Sequence, residues 1–243
     1  MKNIKHISDE YMCSSCGACS AVCPKNAIAY ESTNAGRIYA TVGSNCIDCG
    51  LCCKVCPSEK KSYQKIGYYN EGIVESVRVG RSTNSTYYNN AQSGGVCITV
   101  IDYLFTERKI DAAVLVRMTY GKTPRVEAEI VETIDSLTQY QKSCYNPVPL
   151  LSALKHCKGK ESVAVVGLPC QMAAIKTMQA IDKYTNVKNK IGLVCEGLMG
   201  ATAQDVLMSF VNQNMGENRK IDWKRKTIPT SAGGGSFCTD CNL

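Results

Sequence analysis

Beyond residue 90 the apolar positions of this 243-residue chain switch repeatedly between helical and strand periods, and that alternation predicts a layered fold. Gly94–Arg108 carries an apolar face at helical spacing. Ile110–Thr119 (IDAAVLVRMT) reads as a buried strand, and Arg125–Glu132 alternates like a second one. Pro149–Cys157 is predicted helical. Ser162–Gly167 (SVAVVG) is the clearest buried strand, and Pro169 suits the first turn of a helix running to about Tyr184. Lys190–Cys195 follows as another strand and Ala203–Asn214 as another helix, with Thr202 as its N-cap. Alternating signals of this kind belong to an α/β domain.

The first sixty residues are patterned differently. Ala27–Tyr30 and Arg37–Val42 flank Asn34-Ala35-Gly36, which reads as a short hairpin. After it, the lysine-rich Glu59–Lys65 leads into Tyr68–Val79, a strand or connector, and Arg81–Asn90 is so rich in Ser, Thr, Asn and Tyr that it reads as a surface loop. A division near Ser62 therefore predicts two domains, 1–62 and 63–243, the first α+β and ferredoxin-like, the second α/β. Val96–Phe105, the longest nearly apolar stretch, is too short for a bilayer and contains Asp102, so no membrane insertion is expected.

Cysteines supply the chemistry of the first domain. Cys13, Cys16, Cys19 and Cys23 precede Pro24, and Cys46, Cys49, Cys52 and Cys56 precede Pro57, each as C-x2-C-x2-C-x3-C-P. The first three thiolates of such a run close on one 4Fe–4S cubane, and the fourth reaches the cluster of the other run. This assigns one cluster to Cys13, Cys16, Cys19 and Cys56, and a second to Cys46, Cys49, Cys52 and Cys23. Zinc sites use paired C-x2-C ligands, which would leave the third and fourth cysteines of each run without a role. Disulfide frameworks belong to exported domains, and the charged MKNIKHISDEY start has no apolar export core. Cys53 lies outside the spacing and reads as a packed or spare thiol.

The formal charge of +7 invites a nucleic-acid reading, but it counts every cysteine as neutral. Three clusters, each contributing about two negative charges with its thiolates, would bring the total to about +1. The basic residues are also scattered, with no basic face carrying interleaved aromatics, so no nucleic acid is expected. Sixteen cysteines without an export signal point to a reducing cytoplasm, and oxygen-sensitive clusters fit an anaerobic host.

Four later cysteines sit where a second site would form. Cys170 follows the strand Ser162–Gly167 at a helix start, and Cys195 ends the predicted strand Lys190–Cys195. In a parallel sheet both emerge at the carboxyl edge, where such folds place ligands. Cys238 and Cys241 form a C-x2-C behind Gly233-Gly234-Gly235. By spacing alone these four could hold a third 4Fe–4S cluster, or Cys170 and Cys195 could be small buried apolar groups while Cys238 and Cys241 bind zinc.

Ser93-Gly94-Gly95 before an apolar helix, Ile110-Asp111-Ala112-Ala113-Val114, Gly167-Leu168-Pro169-Cys170-Gln171, Cys195-Glu196-Gly197 and Gly235-Ser236-Phe237-Cys238-Thr239-Asp240-Cys241 follow in that order behind the two cysteine runs. The ordered set resembles the coenzyme F420 hydrogenase/dehydrogenase beta-subunit family over nearly the whole chain. The resemblance implies an α/β flavin-binding domain carrying FAD and one further 4Fe–4S cluster, on Cys170, Cys195, Cys238 and Cys241. It implies an oxidoreductase that relays electrons between a hydride-carrying small molecule, a deazaflavin or similar, and a redox partner protein or subunit. Ser93, Gly94 and Gly95 become flavin-contact candidates, with Lys142, Ser143 and Tyr145 as further candidates that could equally form a solvated loop. No G-x-G-x-x-G follows a strand, so a Rossmann dinucleotide site is not expected. Family members continue well beyond the last C-x2-C, whereas Leu243 comes two residues after Cys241, which reads as C-terminal truncation or a missing part supplied elsewhere. The alternative from another class is a non-catalytic ferredoxin-type relay that docks a partner enzyme.

Overall fold

The computed structural model describes residues 3–34, 36–59, 75–119, 125–195, 197–198, 200–215, 221–222 and 237–238. The division expected near Ser62, the Gly233–Gly235 loop and Cys241 lie outside the described residues.

In the cysteine-rich segment, helix α1 (Lys5–Asp9) is followed by α2 (Ala18–Val22), the hairpin β1 (Ile28–Ser32) and β2 (Ile38–Val42), and α3 (Leu51–Val55). The hairpin is antiparallel, with Ile28 opposite Val42 and Ser32 opposite Ile38. The two cysteine runs repeat one backbone solution. Each enters its one-turn helix through a left-handed glycine, Gly17 or Gly50, and leaves it through an extended cysteine, Cys23 or Cys56. A residue before proline avoids the helical region, so Pro24 and Pro57 turn those two sulfurs out of the local helix. Ile4, Ile7, Ile28 and Ala40 bury themselves around Cys19, Cys52 and Cys56.

The larger part begins with α4 (Ser85–Asn90) and α5 (Val96–Thr106), then β3 (Ala112–Thr119) and β4 (Arg125–Val131). Two 3-10 segments, Leu137–Tyr140 and Leu150–Cys157, precede β5 (Val163–Gly167), α6 (Pro169–Gln179), β6 (Val187–Gly192) and α7 (Ala201–Met215). The four strands form one sheet in the order β4-β3-β5-β6, antiparallel at β3–β4 and parallel at β3–β5 and β5–β6. Strand alternation sends Ala113, Leu115 and Ala164 to one face, against Ile98, Ile101 and Leu104 of α5. Val114, Val163 and Val165 go to the other face, against Leu150, Leu151, Leu154, Ala174, Ile175 and Met178. Three layers result. A further two-residue pair, β7 (Ile221–Asp222) with β8 (Phe237–Cys238), is antiparallel.

Several local expectations are corrected. Arg81–Asn90 contains α4 rather than loop throughout, because Asn84 caps it by accepting hydrogen bonds from the Thr86 and Tyr87 amides. The strand expected at Lys190–Cys195 lies at Val187–Gly192, where Gly192 pairs with Gly167 and the ladder ends, leaving Cys195 three residues beyond it. Pro149–Cys157 winds as 3-10 helix rather than α. Helix α6 stops at Gln179, and the Tyr184 hydroxyl instead donates to the Ala21 carbonyl at 2.5 Å. Helix α7 begins at Ala201, so Thr202 is not its N-cap; its hydroxyl donates to the Asn34 carbonyl at 3.0 Å.

The cysteine-rich segment shares a core with the sheet. Ala18, Ala21, Val22 and Val55 pack into the cluster that holds Leu150, Leu154 and Ile175. The Leu151 amide donates to the Cys16 carbonyl at 3.0 Å, and Thr177 donates to the Val55 carbonyl at 2.8 Å. Gly17 is what lets the backbones meet: a Cβ there would lie 2.6 Å from the Pro149 carbonyl oxygen and the Ser152 nitrogen, and its φ is +96°. Gly17→Ala is expected to lower stability by about 1–3 kcal/mol through overpacking. Gly80→Ala, where a Cβ meets nothing within 4 Å, should stay within about 0.5 kcal/mol of wild type. Unfolding midpoints of the anaerobically reconstituted proteins check both.

Candidate electron-transfer site

Folding gathers the eight cysteines of the two runs into two sets. Cys16, Cys19, Cys52 and Cys56 are buried, Cys13, Cys23 and Cys46 are half-buried, and Cys49 is exposed. Burial holds the Cys16 thiol well above its ordinary pKa, and the nearby Cys19, Cys56 and Cys170 add to the rise. Burial likewise pushes Cys19 up to about 11, with Cys13 and Cys52 adding and a hydrogen bond from Tyr30 opposing. Cys56 is pushed up to about 12 by burial, with Cys19 and Cys13 beside it. Cys16 thus feels Cys19 and Cys56, and Cys19 and Cys56 both feel Cys13, which groups these four thiols, while Cys52 acting on Cys19 marks where the second set adjoins. Cys23, Cys46, Cys49 and Cys52 instead line one small pocket under Pro24 and Leu51.

Each set mixes three cysteines of one run with the last cysteine of the other. Sulfurs packed this closely in a low-dielectric core resist ionising together unless a cation is bound among them. Iron meets that need, and its thiolate ligands are deprotonated by coordination. Backbone amides also face the sulfurs: Ala27 donates to Cys23 Sγ at 3.2 Å and Asp48 to Cys46 Sγ at 3.4 Å.

A cleft of about 590 Å³ opens at the carboxyl edge of β5 and β6, within the size range of small-molecule and cofactor sites. Its floor is apolar, from Leu115, Val116, Val166 and Leu168. One wall is the start of α5, where Gly95 takes φ +73° and a Cβ would come within 2.9 Å of the Tyr87 carbonyl oxygen. No side chain caps this helix, and Val96, Cys97 and Ile98 line the cleft, so the positive end of α5 borders it. The other wall is the loop after Tyr140, held by Gln141 Nε2 donating to the Tyr87 carbonyl at 2.9 Å and by the Ser143 amide donating to Gln92 Oε1 at 2.6 Å. Ser93, Gly94, Gly95, Lys142, Ser143 and Tyr145, distant in sequence, therefore line one cavity.

Two polar atoms in its walls have no protein partner: the buried Nε2 of Gln92 and Oδ1 of Asn146. Buried polar groups are normally paired, so a donor and an acceptor left open in a cleft fit a polar ligand. Sequence reasoning missed Gln92, Asn146 and Gln171. Gln92 stands directly before Ser93-Gly94-Gly95, and Gln171 closes the Gly167–Gln171 motif by accepting from the Leu168 amide at 2.7 Å. Position alone hinted at them; only packing shows that Gln92 is buried with half of its amide unpaired.

Cys170 and Cys195 lie between the cleft and the first cysteine set. Cys195 lines the cleft, and Cys170 stands at the second residue of α6. Burial raises the Cys170 pKa, a hydrogen bond with Ser14 lowers it, and Cys195 raises it again, so these side chains are close. Cys170 in turn acts on Cys16. The structure thus brings Cys170 and Cys195 together; the side chain of Cys238, like all of Cys241, is outside what is described.

Residues 77–155 match the N-terminal part of the coenzyme F420 hydrogenase/dehydrogenase beta subunit, and residues 160–237 match its C-terminal part. The chain belongs to this family. Residues 12–60 match the 4Fe-4S dicluster domain, so the cysteine-rich segment of this family member is an iron–sulfur segment. Among curated relatives, the coenzyme F420-dependent sulfite reductase of Methanocaldococcus jannaschii is 28% identical over 197 residues, covering 78% of this chain and 28% of the relative. One of the subunits of the F(420)H(2) dehydrogenase of Methanosarcina mazei is 27% identical over 217 residues, 86% of this chain and 59% of that one. The beta subunit of the coenzyme F420 hydrogenase of Methanosarcina barkeri is 26% identical over 152 residues, 58% and 52% of the two chains. The chain thus spans between about a quarter and three fifths of these relatives' lengths. A chain of the F420-reducing [NiFe] hydrogenase complex from Methanosarcina barkeri shares the fold, with a TM-score of 0.53 and 23% identity over 69% of this chain and 61% of that one. Among the described residues, no helix is long and apolar enough to cross a membrane.

The crossed ligation expected from the spacing makes a pairing prediction. Cys56→Ser and Cys13→Ser should lose the same cluster, and Cys23→Ser and Cys46→Ser the other, each with a loss of about four irons per chain. Electron paramagnetic resonance of the reduced variants checks this; matching spectra within each cysteine run, rather than across runs, would overturn it. The Tyr30 hydroxyl lies 3.4 Å from Cys19 Sγ. Its hydrogen bond favours the more negative, reduced cluster, so Tyr30→Phe should lower that cluster's reduction potential in a redox titration.

Proposed function

We propose that this chain is the electron-transfer subunit of an iron–sulfur flavoprotein oxidoreductase, exchanging electrons with a deazaflavin of the coenzyme F420 type and with a redox partner protein. The observation that carries the reading is continuity: the cleft borders Cys195, Cys195 neighbours Cys170, Cys170 neighbours Cys16, and Cys16 belongs to the first of two adjoining cysteine sets. FAD, when bound, supplies the exchange between a hydride pair and single electrons. The names of the relatives, all F420-linked, support the substrate class.

The cleft residues fit that cofactor. Gln92 Nε2 would donate to, and Asn146 Oδ1 accept from, the polar edge of the flavin ring. The amides opening α5 favour a phosphate through the helix dipole, with Lys142 from the facing loop adding positive charge. Leu115, Val116 and Val166 would give a flavin ring an apolar surface that excludes water. Cys170 and Cys195, with Cys238 and Cys241, would hold a third 4Fe–4S cluster next to the cleft. Cys49 is exposed beside Ile47, itself 56% exposed, which makes the second cysteine set the natural contact with a partner protein.

Gly95→Val is a poor test of the cleft, because its conformation would strain the backbone with or without a ligand. Gln92→Leu removes the open donor together with the acceptor that holds the Ser143 amide, so Gln92→Glu, which keeps that acceptor and removes only the donor, is measured beside it and should weaken binding as well. The wild-type protein, reconstituted anaerobically, should bind about one FAD per chain. Gln92→Leu should weaken it at least about tenfold, since one lost hydrogen bond to a buried partner costs about 1–3 kcal/mol. Fluorescence titration measures both. No flavin on wild type, or unchanged affinity in Gln92→Leu, would remove FAD from this cleft.

A further inference from the structure

Cys53 is the one thiol of the cysteine-rich segment outside both runs; it packs at the edge of the core around Cys19, Cys52 and Cys56 and there meets two further donor side chains. A ring nitrogen of His6, Cys53 Sγ and a Glu59 carboxylate oxygen all lie within 4.8 Å of one another. They come from α1, α3 and the turn after Pro57, and His6 and Glu59 are 53 residues apart in the chain. We propose that these three side chains form a separate divalent-metal site, of a kind that zinc fills.

The imidazole is already set for the task. His6 Nδ1 lies 3.0 Å from the Asn3 carbonyl, which can only accept, so Nδ1 carries the hydrogen and Nε2 faces the carboxylate. A histidine ligand held through its other nitrogen is the usual second layer of a metal site. Nε2 stands 2.9 Å from Glu59 Oε2, and two acceptors this close need a cation between them. A proton would serve that pair alone. The thiol within reach of both is what a proton does not use and a metal does.

The donor set is one nitrogen, one sulfur and one oxygen, which suits borderline zinc better than magnesium or calcium, both of which prefer all-oxygen shells. Tetrahedral zinc with bonds of ~2.1 Å sets nitrogen and oxygen about 3.4 Å apart, so the 2.9 Å pair must open by about half an ångström. His6 is 47% exposed and Glu59 25%, which leaves room for that movement and for water as the fourth ligand. Bound there, the metal ties α1 to α3. Since Ile4 and Ile7 of that end cover Cys19, Cys52 and Cys56, it would hold the cover over the iron–sulfur core closed.

Cys53 adjoins Cys52, so the test must separate this site from the cluster thiols. The full chain, with its iron and sulfide complement restored anaerobically, is titrated with zinc chloride, and metals are counted after gel filtration. Wild type should retain one zinc beyond its iron. His6→Ala, Cys53→Ser and Glu59→Gln should each bind it at least about tenfold more weakly with iron unchanged. Cadmium-113 replacing zinc should resonate as a metal with a single thiolate ligand. No zinc on iron-replete wild type, equal zinc in His6→Ala, or a cadmium signal of four thiolates would each overturn the site. Because His6 is exposed and Glu59 half-buried, their variants keep the test open even if Cys53→Ser disturbs packing.

Discussion

Eight sulfurs crowded into one small core are the constraint around which this protein is built. As thiols they are acceptable apolar groups, but as thiolates in a dry interior they repel one another, and burial drives Cys19 and Cys56 up to about 11 and 12. Only a cationic inorganic core resolves the conflict, which makes iron part of folding for this segment. The peptide supplies two matched turns, each a left-handed glycine, one helical turn and a cysteine extended by the next proline.

That core is not a detached module. Ala18, Ala21, Val22 and Val55 give the outer faces of its short helices to the same apolar cluster as Leu150, Leu154 and Ile175. Gly17 removes the last obstacle to contact. The consequence is geometric: the cysteine set around Cys16 comes up against Cys170 at the start of α6, and the sheet edge that carries Cys195 opens directly into the cleft. Close, rigid spacing of redox groups is what single-electron relay requires, and a shared core supplies it where a flexible linker could not.

The cleft owes its character to what the fold leaves undone. The α5 terminus has no side-chain cap, Gln92 has half of its amide unpaired, and Asn146 has an open acceptor. Each is a small loss that a polar, negatively charged ligand would recover.

Local rules carried much of this in advance. The cysteine spacing pointed to two cubanes with exchanged fourth ligands, and the fold puts Cys23 and Cys56 on extended backbone before their prolines, out of the helical turns of their own runs. Apolar periodicity located the hairpin, the strands β3, β4 and β5 and the helices α5 and α6, because each buries one regular face. Boundaries that depend on a partner elsewhere were not legible: β6 ends at Gly192 because its partner strand β5 ends at Gly167, and α4 exists because Asn84 caps a polar stretch. Folding alone decided that Lys142, Ser143 and Tyr145 face Ser93-Gly94-Gly95 across a cavity, and that Cys53 meets His6 and Glu59. Those contacts join residues about 50 positions apart, and no short-range period encodes which distant side chains will meet.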